Sequence, residues 1–198
     1  MMNRSRGITL LELIVVVAVI GTIIALSAPS LKSLIVMQRL RSANSQIVTD
    51  LQLARAEAVT RRDFVRVTLR ANPLSAPTTT CYTIYTSASN ATRCNCLLGP
   101  GAACASGMVE IKTVSLPSAL GVLVKPAATM SDNSFAFDWR TGSLLGSPTD
   151  SDPPSIDRFS IESSLVGSTS KLHTQVNQAG RPLVCRPTGS SMTETPCP

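Results

Sequence analysis

Histidine occurs once in this chain of 198 residues, at His173, and tryptophan once, at Trp139. A lone imidazole leaves no second histidine for a metal centre or a proton relay. No Gly-x-Ser-x-Gly elbow and no phosphate-binding loop is present, so a hydrolase or nucleotide enzyme lacks its parts and no enzymatic activity is expected. Aromatic residues make up only 4% of the chain, while Ser, Thr, Ala, Gly and Pro are abundant. That balance argues against a large enzyme core and suits a small β-rich domain with long loops. Cysteine is missing before residue 81, yet six follow from there on. Such a one-sided supply points to an oxidising compartment for the second part of the chain.

Charge is missing from residues 8–28 apart from Glu12. This run, ITLLELIVVVAVIGTIIALSA, has 21 residues, long enough to cross a hydrocarbon core of about 30 Å as a helix. It follows a basic leader, residues 1–7, that carries Arg4 and Arg6. A secretory signal has a shorter apolar region with its small-residue cleavage site behind it. Here the small residue, Gly7, precedes the run, so cleavage there leaves the apolar segment on the mature protein. A carboxylate in such a helix is costly, about 2.5–3.5 kcal/mol at the bilayer centre, and usually marks function. Cleavage after Gly7 would place an ammonium on Ile8, four residues before Glu12. Glu12 could pair with it in one chain, or with the ammonium of a neighbouring subunit, which rewards side-by-side packing.

After Pro29 the pattern becomes amphipathic. Leu40, Ala43, Ile47, Leu51, Ala54 and Ala58 recur at helical spacing, whereas Arg39, Arg41, Gln46, Gln52, Arg55 and Arg62 fall largely off that stripe. One helix from about residue 8 to about residue 62 is expected, with Gly21 and Pro29 as its weak points. The alternation of Val65, Val67 and Leu69 with Arg66, Thr68 and Arg70 predicts a strand with one solvated face. Further strands are expected at 81–87, 108–116, 120–125, 134–139, 158–164, 171–176 and 182–185. Turn-rich stretches separate them, among them 72–80, 87–107 and 146–155. A long helix followed only by strands makes an α+β domain whose antiparallel sheet covers the stripe on the helix.

Gly7, Ile8, Glu12 and the uncharged run resemble the leader of type IV pilins and type II secretion pseudopilins. Leu53-Ala54-Arg55-Ala56-Glu57-Ala58-Val59-Thr60-Arg61-Arg62 resembles the ARSEAxxR stretch of the GspH/FimT family of minor pilins and pseudopilins. Phe137 to Gly142 resembles that family's F…G turn, and Gly180-Arg181 followed by Cys185 its closing GR…C segment. The resemblance implies a type IV pilin fold: leader 1–7, membrane-spanning and filament-core helix 8–28, amphipathic continuation 29–62, and periplasmic β-rich head 63–198. It implies cleavage after Gly7 by a prepilin peptidase and methylation of Ile8, although phenylalanine is the usual residue there. It further implies assembly through Glu12, a single pass through the bacterial inner membrane, and other pilins or pseudopilins as partners. The motifs suit equally a minor pilin of a type IV pilus and a pseudopilin of a type II secretion system.

Some FimT-type minor pilins bind DNA for natural transformation through a GRxR motif. Gly180 and Arg181 match its start, Leu183 stands where the second arginine belongs, and Arg186 and Lys171 are near in sequence. The net charge of +6, or 16 basic against 12 acidic side chains without the leader, permits a polyanion partner without requiring one. Cys94-Asn95-Cys96 with Cys104 lacks the paired knuckles of a zinc site, so disulfides are expected. The candidate pairs are Cys185 with Cys197, closing the tail as a loop, and Cys81 with a member of the 94–104 group. Asp150, Asp152 and Asp157 read as a solvated turn rather than a calcium loop, given Pro153-Pro154 and the missing glycine. No metal or cofactor is expected.

Overall fold

A computed structural model describes residues 9–72, 79–87, 93–130, 133–146 and 155–198, with only the backbone of 25–33, 71–72, 87 and 118. The chain divides into two units, Met1–Gln38 and Arg39–Pro198. Helix α1 spans Leu10–Arg61, continuous through Pro29. It ends without a glycine. Arg62 takes the left-handed conformation, φ 54°, and the Asp63 amide returns to the Ala58 carbonyl, a Schellman-type stop.

The second unit carries nine strands among the described residues: β1 Val65–Asn72, β2 Thr79–Ser87, β3 Met108–Leu116, β4 Val122–Pro126, β5 Ser134–Phe137, β6 Leu144–Leu145, β7 Arg158–Leu165, β8 Lys171–Asn177 and β9 Pro182–Cys185. They form two sheets rather than the one expected: β3-β2-β1-β5-β6 and β4-β7-β8-β9. Every strand pairing is antiparallel. The expected strand from residue 120 begins instead at Val122, because Ser118–Leu120 winds into a 3-10 turn and Gly121 follows with φ +71°. The two-residue β6 was too short to show any alternation.

Both sheets close on the second half of α1. Leu40, Ile47, Leu51, Ala54 and Ala58 are buried, as the spacing requires, with Ala43 only half-buried. Each large aliphatic side chain buried this way contributes about 1.5–3 kcal/mol. Phe135 of the first sheet and Phe159 of the second stack 4.4 Å apart and join the two into one core. Two polar residues hidden in the apolar stripe fix the helix's rotation. Asn44 Oδ1 accepts the Thr174 hydroxyl at 2.9 Å, reaching the second sheet. Asp50, 2% exposed, accepts the Tyr82 hydroxyl at 2.7 Å and Lys112 Nζ at 2.7 Å, reaching the first.

The expectation of a solvated face on β1 is corrected. Arg66 is 2% exposed and Thr68 fully buried. Arg70 pairs in register with Cys81, so Cys81 shares the face of Arg66 and Thr68. The Cys81–Cys96 disulfide draws the 3-10 turn Cys96–Leu98 toward this face. Cys94–Cys104 closes the same loop upon itself, and Arg93 Nη1 bonds Asn133 Oδ1 at 2.8 Å. Alternation alone could not show that a later loop would cover the polar side. Burial holds the Arg66 guanidinium below its usual range, against the raising effect of Tyr85 and Asp63.

Asp50→Ala strands the buried Tyr82 hydroxyl, whereas Lys112 can turn to water. We expect the Arg39–Pro198 unit to lose about 2–3 kcal/mol in denaturant unfolding; an unchanged midpoint would contradict the clamp. The Tyr82 phenol is held well above its ordinary range by burial, then by its hydrogen bond to Asp50 and the Asp50 charge. Its proton is bound more tightly in the folded state, so its contribution is full below about pH 10, the pKa of an unfolded tyrosine. Stability should therefore fall as pH rises past that point. The fall should be shallower in Tyr82→Phe, compared by unfolding at pH 8 and about pH 11.

Candidate functional site

Thr9 starts α1: its hydroxyl accepts the Glu12 amide at 3.3 Å, so Glu12 takes the third position of a capped helix. A carboxylate there is also favoured by the helix dipole. Around it the surface is apolar on every side. Leu10 is 76% exposed, Leu13 57%, Val17 62% and Ile24 63%, and every residue from 9 to 24 is exposed. A helix apolar all round has no face that prefers water and needs lipid or other helices about it. Among the described residues, no helical stretch is by itself long and apolar enough to cross a membrane. The apolar run in the sequence continues to Ala28, beyond the last described side chain of this stretch, Ile24. Glu12 is exposed, and among the described residues its carboxylate has no ion-pair partner. Gly7 and Ile8 lie outside the described residues.

Of the three candidate DNA-binding cations, Lys171 and Arg186 fall at one end of the β8–β9 pair and Arg181 at the other. Lys171 begins β8, with Nζ 3.8 Å from Glu162 Oε1. Glu162 also has Lys125 Nζ at 3.5 Å and His173 Nε2 at 3.5 Å, so it gathers three cationic or basic groups from the strands on either side, β4 and β8. Arg186 donates from Nη1 to the Met192 carbonyl at 3.0 Å and from its amide to Thr195 at 2.8 Å, holding the tail in place. Arg181 is exposed and sits at the other end of β9. Arg181 and Arg186 flank the four-residue β9 on either side, five residues and about 16 Å apart at strand rise.

Cys185 and Cys197 form a disulfide, Cα atoms 4.8 Å apart, closing the tail into a loop. The loop reaches α1 through Glu194 Oε1, 3.0 Å from Arg41 Nε, and plants Met192, 2% exposed, in the core. Among the described residues no group of His, Cys, Asp and Glu is arranged to hold a metal. Asp150 and Asp152 lie outside those residues; Asp157 is described and exposed.

Three fragments from distant parts of the sequence meet at one point. Arg55, on α1, donates from Nε to the Gly142 carbonyl at 3.1 Å. Gly142 ends the turn after β5, its amide bonded to the Asp138 carbonyl at 2.8 Å. Gly180, in the turn between β8 and β9, lies directly against Gly142: a Cβ at position 180 would collide with the Gly142 carbonyl oxygen. A Cβ at position 142 would come within 2.8 Å of Arg55 Nε. Both glycines also take left-handed conformations, φ +66° and +71°. The arginine thus locks two turns onto the helix. Beside this lock opens a groove of about 520 Å³, lined by Gln52, Arg55, Ala56, Val59, Arg181 and Pro182. Sequence reasoning had each fragment separately but no signal that they touch, because 87 residues separate Arg55 from Gly142.

Residues 2–28 match the model of the prokaryotic N-terminal methylation motif, and residues 43–180 match that of the type II transport protein GspH. Among solved structures the chain is similar to the type IV minor pilin FimU of Pseudomonas aeruginosa PAO1 in two crystal forms. One shares 16% identity at TM-score 0.44, covering 78% of this chain and 98% of that one. The other shares 18% at 0.47, covering 80% and 96%. No match is found among curated proteins.

Gly180→Ala should destabilise the Arg39–Pro198 unit by about 3 kcal/mol or more, combining backbone strain with collision. Gly189→Ala, at φ +80° with open space around it, should lose only about 1 kcal/mol. Equal thermal shifts in the two variants would contradict the lock.

Proposed function

The chain belongs to the type II transport protein GspH family, and from that premise we propose that it is a minor subunit of a type IV pilus. The observation that carries the assembly role is the exposed helical segment 10–24, apolar but for Glu12 near its start and the Gly21-Thr22 pair, which lies within the matched methylation motif of residues 2–28. Such a segment is at rest only in a bilayer or packed among like helices. In this reading a prepilin peptidase removes residues 1–7, and Ile8 becomes the new, methylated N-terminus. Residues 8–28 anchor the chain in the inner membrane, with the head in the periplasm, until the helix enters the filament.

Glu12 then supplies the register. A carboxylate carried into an apolar bundle without a partner is strongly disfavoured, so it seeks the Ile8 ammonium of a neighbouring subunit. Three disulfides in the head, at Cys81–Cys96, Cys94–Cys104 and Cys185–Cys197, suit a part that works outside the cytoplasm. The role is one of assembly and requires no catalytic group. The GspH match favours a second reading, a pseudopilin of a type II secretion system, which uses the same helix and the same Glu12. A DNA-capturing role gains no support from Arg181 and Arg186, which stand at opposite ends of β9.

Mass spectrometry of the mature chain should find Ile8 as its first residue. Glu12→Ala should still be cleaved but enter filaments about tenfold less or worse, equivalent to about 1.4 kcal/mol. A mature chain that retains Met1, or normal incorporation of Glu12→Ala, would overturn the proposal. Crosslinking in isolated filaments separates pilus from secretion machinery by the subunits recovered.

A further inference from the structure

We propose that the groove beside the Arg55–Gly142–Gly180 lock receives a carboxylate-bearing segment of a neighbouring filament subunit. This rests on the assembly reading and names where the head makes contact. Gln52, Arg55, Ala56 and Val59 recur at intervals of three and four on α1 and form one wall of the groove; Arg181 and Pro182 form the other. This stripe is distinct from the one buried in the core. Val59 is 51% exposed, a branched aliphatic side chain left to water in the second unit, and Ala56 is exposed beside it. The floor is therefore apolar and the rim cationic.

Arg55 uses Nε on the Gly142 carbonyl, which fixes the plane of its guanidinium and leaves the two terminal nitrogens for another acceptor. A guanidinium held in this way loses little freedom when a carboxylate takes both of its remaining donors. Arg181 is exposed on the opposite wall, its backbone held by the Asn177 side chain at 2.9 Å. Among the described residues no carboxylate lines the groove; Glu57, next on the helix, is paired with Arg61. With no described acid beside them, two arginines over an apolar floor are complemented by an acidic side chain flanked by apolar ones. A nucleic-acid backbone fits less well, because it calls for a stripe of cations, whereas Arg186 and Lys171 lie at the far end of β9 and are engaged there.

The test uses the full chain in filament-producing cells, with the photo-crosslinker p-benzoylphenylalanine at position 59 and, as a control, at Val109, which is 53% exposed on β3. Position 59 should crosslink to a filament subunit within a peptide that contains Asp or Glu. Arg181→Glu should reduce that product about tenfold without changing the melting temperature. Arg181→Lys should retain most of it, and replacing the partner's acid by arginine should restore crosslinking to Arg181→Glu. The proposal is overturned if position 59 gives no product, a product no different from that of position 109, or a peptide without an acid. Unchanged crosslinking in Arg181→Glu, or a product on nucleic acid, also overturns it. If the wild-type chain does not purify with filaments, the assembly reading falls and takes this one with it. If it does so while Arg181→Glu crosslinks normally, the groove proposal alone is lost.

Discussion

A carboxylate buried on a helix has to find donors, and Asp50 finds both of its donors in one sheet. Tyr82 gives it a phenol and Lys112 an ammonium, each at 2.7 Å. An apolar stripe alone would let α1 roll by some tens of degrees with little loss, since dispersion contacts have no direction. The hydrogen bonds do have direction. With Asn44 held by Thr174 of the other sheet, they fix the helix against both sheets at once. The outward stripe of Gln52, Arg55, Ala56 and Val59 is then set by the same rotation.

From that rotation follows the second lock. Arg55 meets the Gly142 carbonyl only because α1 presents it there, and the two glycine turns can touch only because neither carries a Cβ. The tail is tied in a related way, with Arg41 holding Glu194 while the Cys185–Cys197 disulfide closes the loop. Helix, turns and tail are joined by charge-assisted hydrogen bonds from arginines, which suits a head with few aromatic residues to fill its core. The groove is a by-product of this construction: an arginine that clamps a backbone carbonyl with Nε keeps its terminal nitrogens facing outward.

The first segment answers a different constraint. Residues 9–24 are exposed and, but for Glu12, almost wholly apolar, so among the described residues none supplies their environment. Glu12 is stabilised locally by its place in the first turn, where Thr9 caps its amide. That local role and a role in assembly are compatible, because a cap engages the backbone amide and leaves the carboxylate for a cation.

Much of this was legible in the order of residues. The uncharged run with one acid, the helix ending near Arg62, the principal strands and the Cys185–Cys197 pair each depend on local spacing or on short motifs. The exceptions share a physical cause. Asn44 and Asp50 were hidden because a polar residue in an apolar stripe reads as an interruption until its partner, 32 residues on for Asp50, is seen to face it. Arg66 and Thr68 read as solvated because alternation reports that two faces differ, not what covers them. The division into two sheets, the cover over β1 and the meeting of Arg55, Gly142 and Gly180 all arise between segments far apart in the chain. Sequence by itself determined the long helix, the principal strands and the uncharged run at the front of the chain, since these follow from near-neighbour geometry and hydrophobicity. Only tertiary structure decided which polar groups are buried and where the cations gather, because both depend on through-space partners that no local pattern encodes.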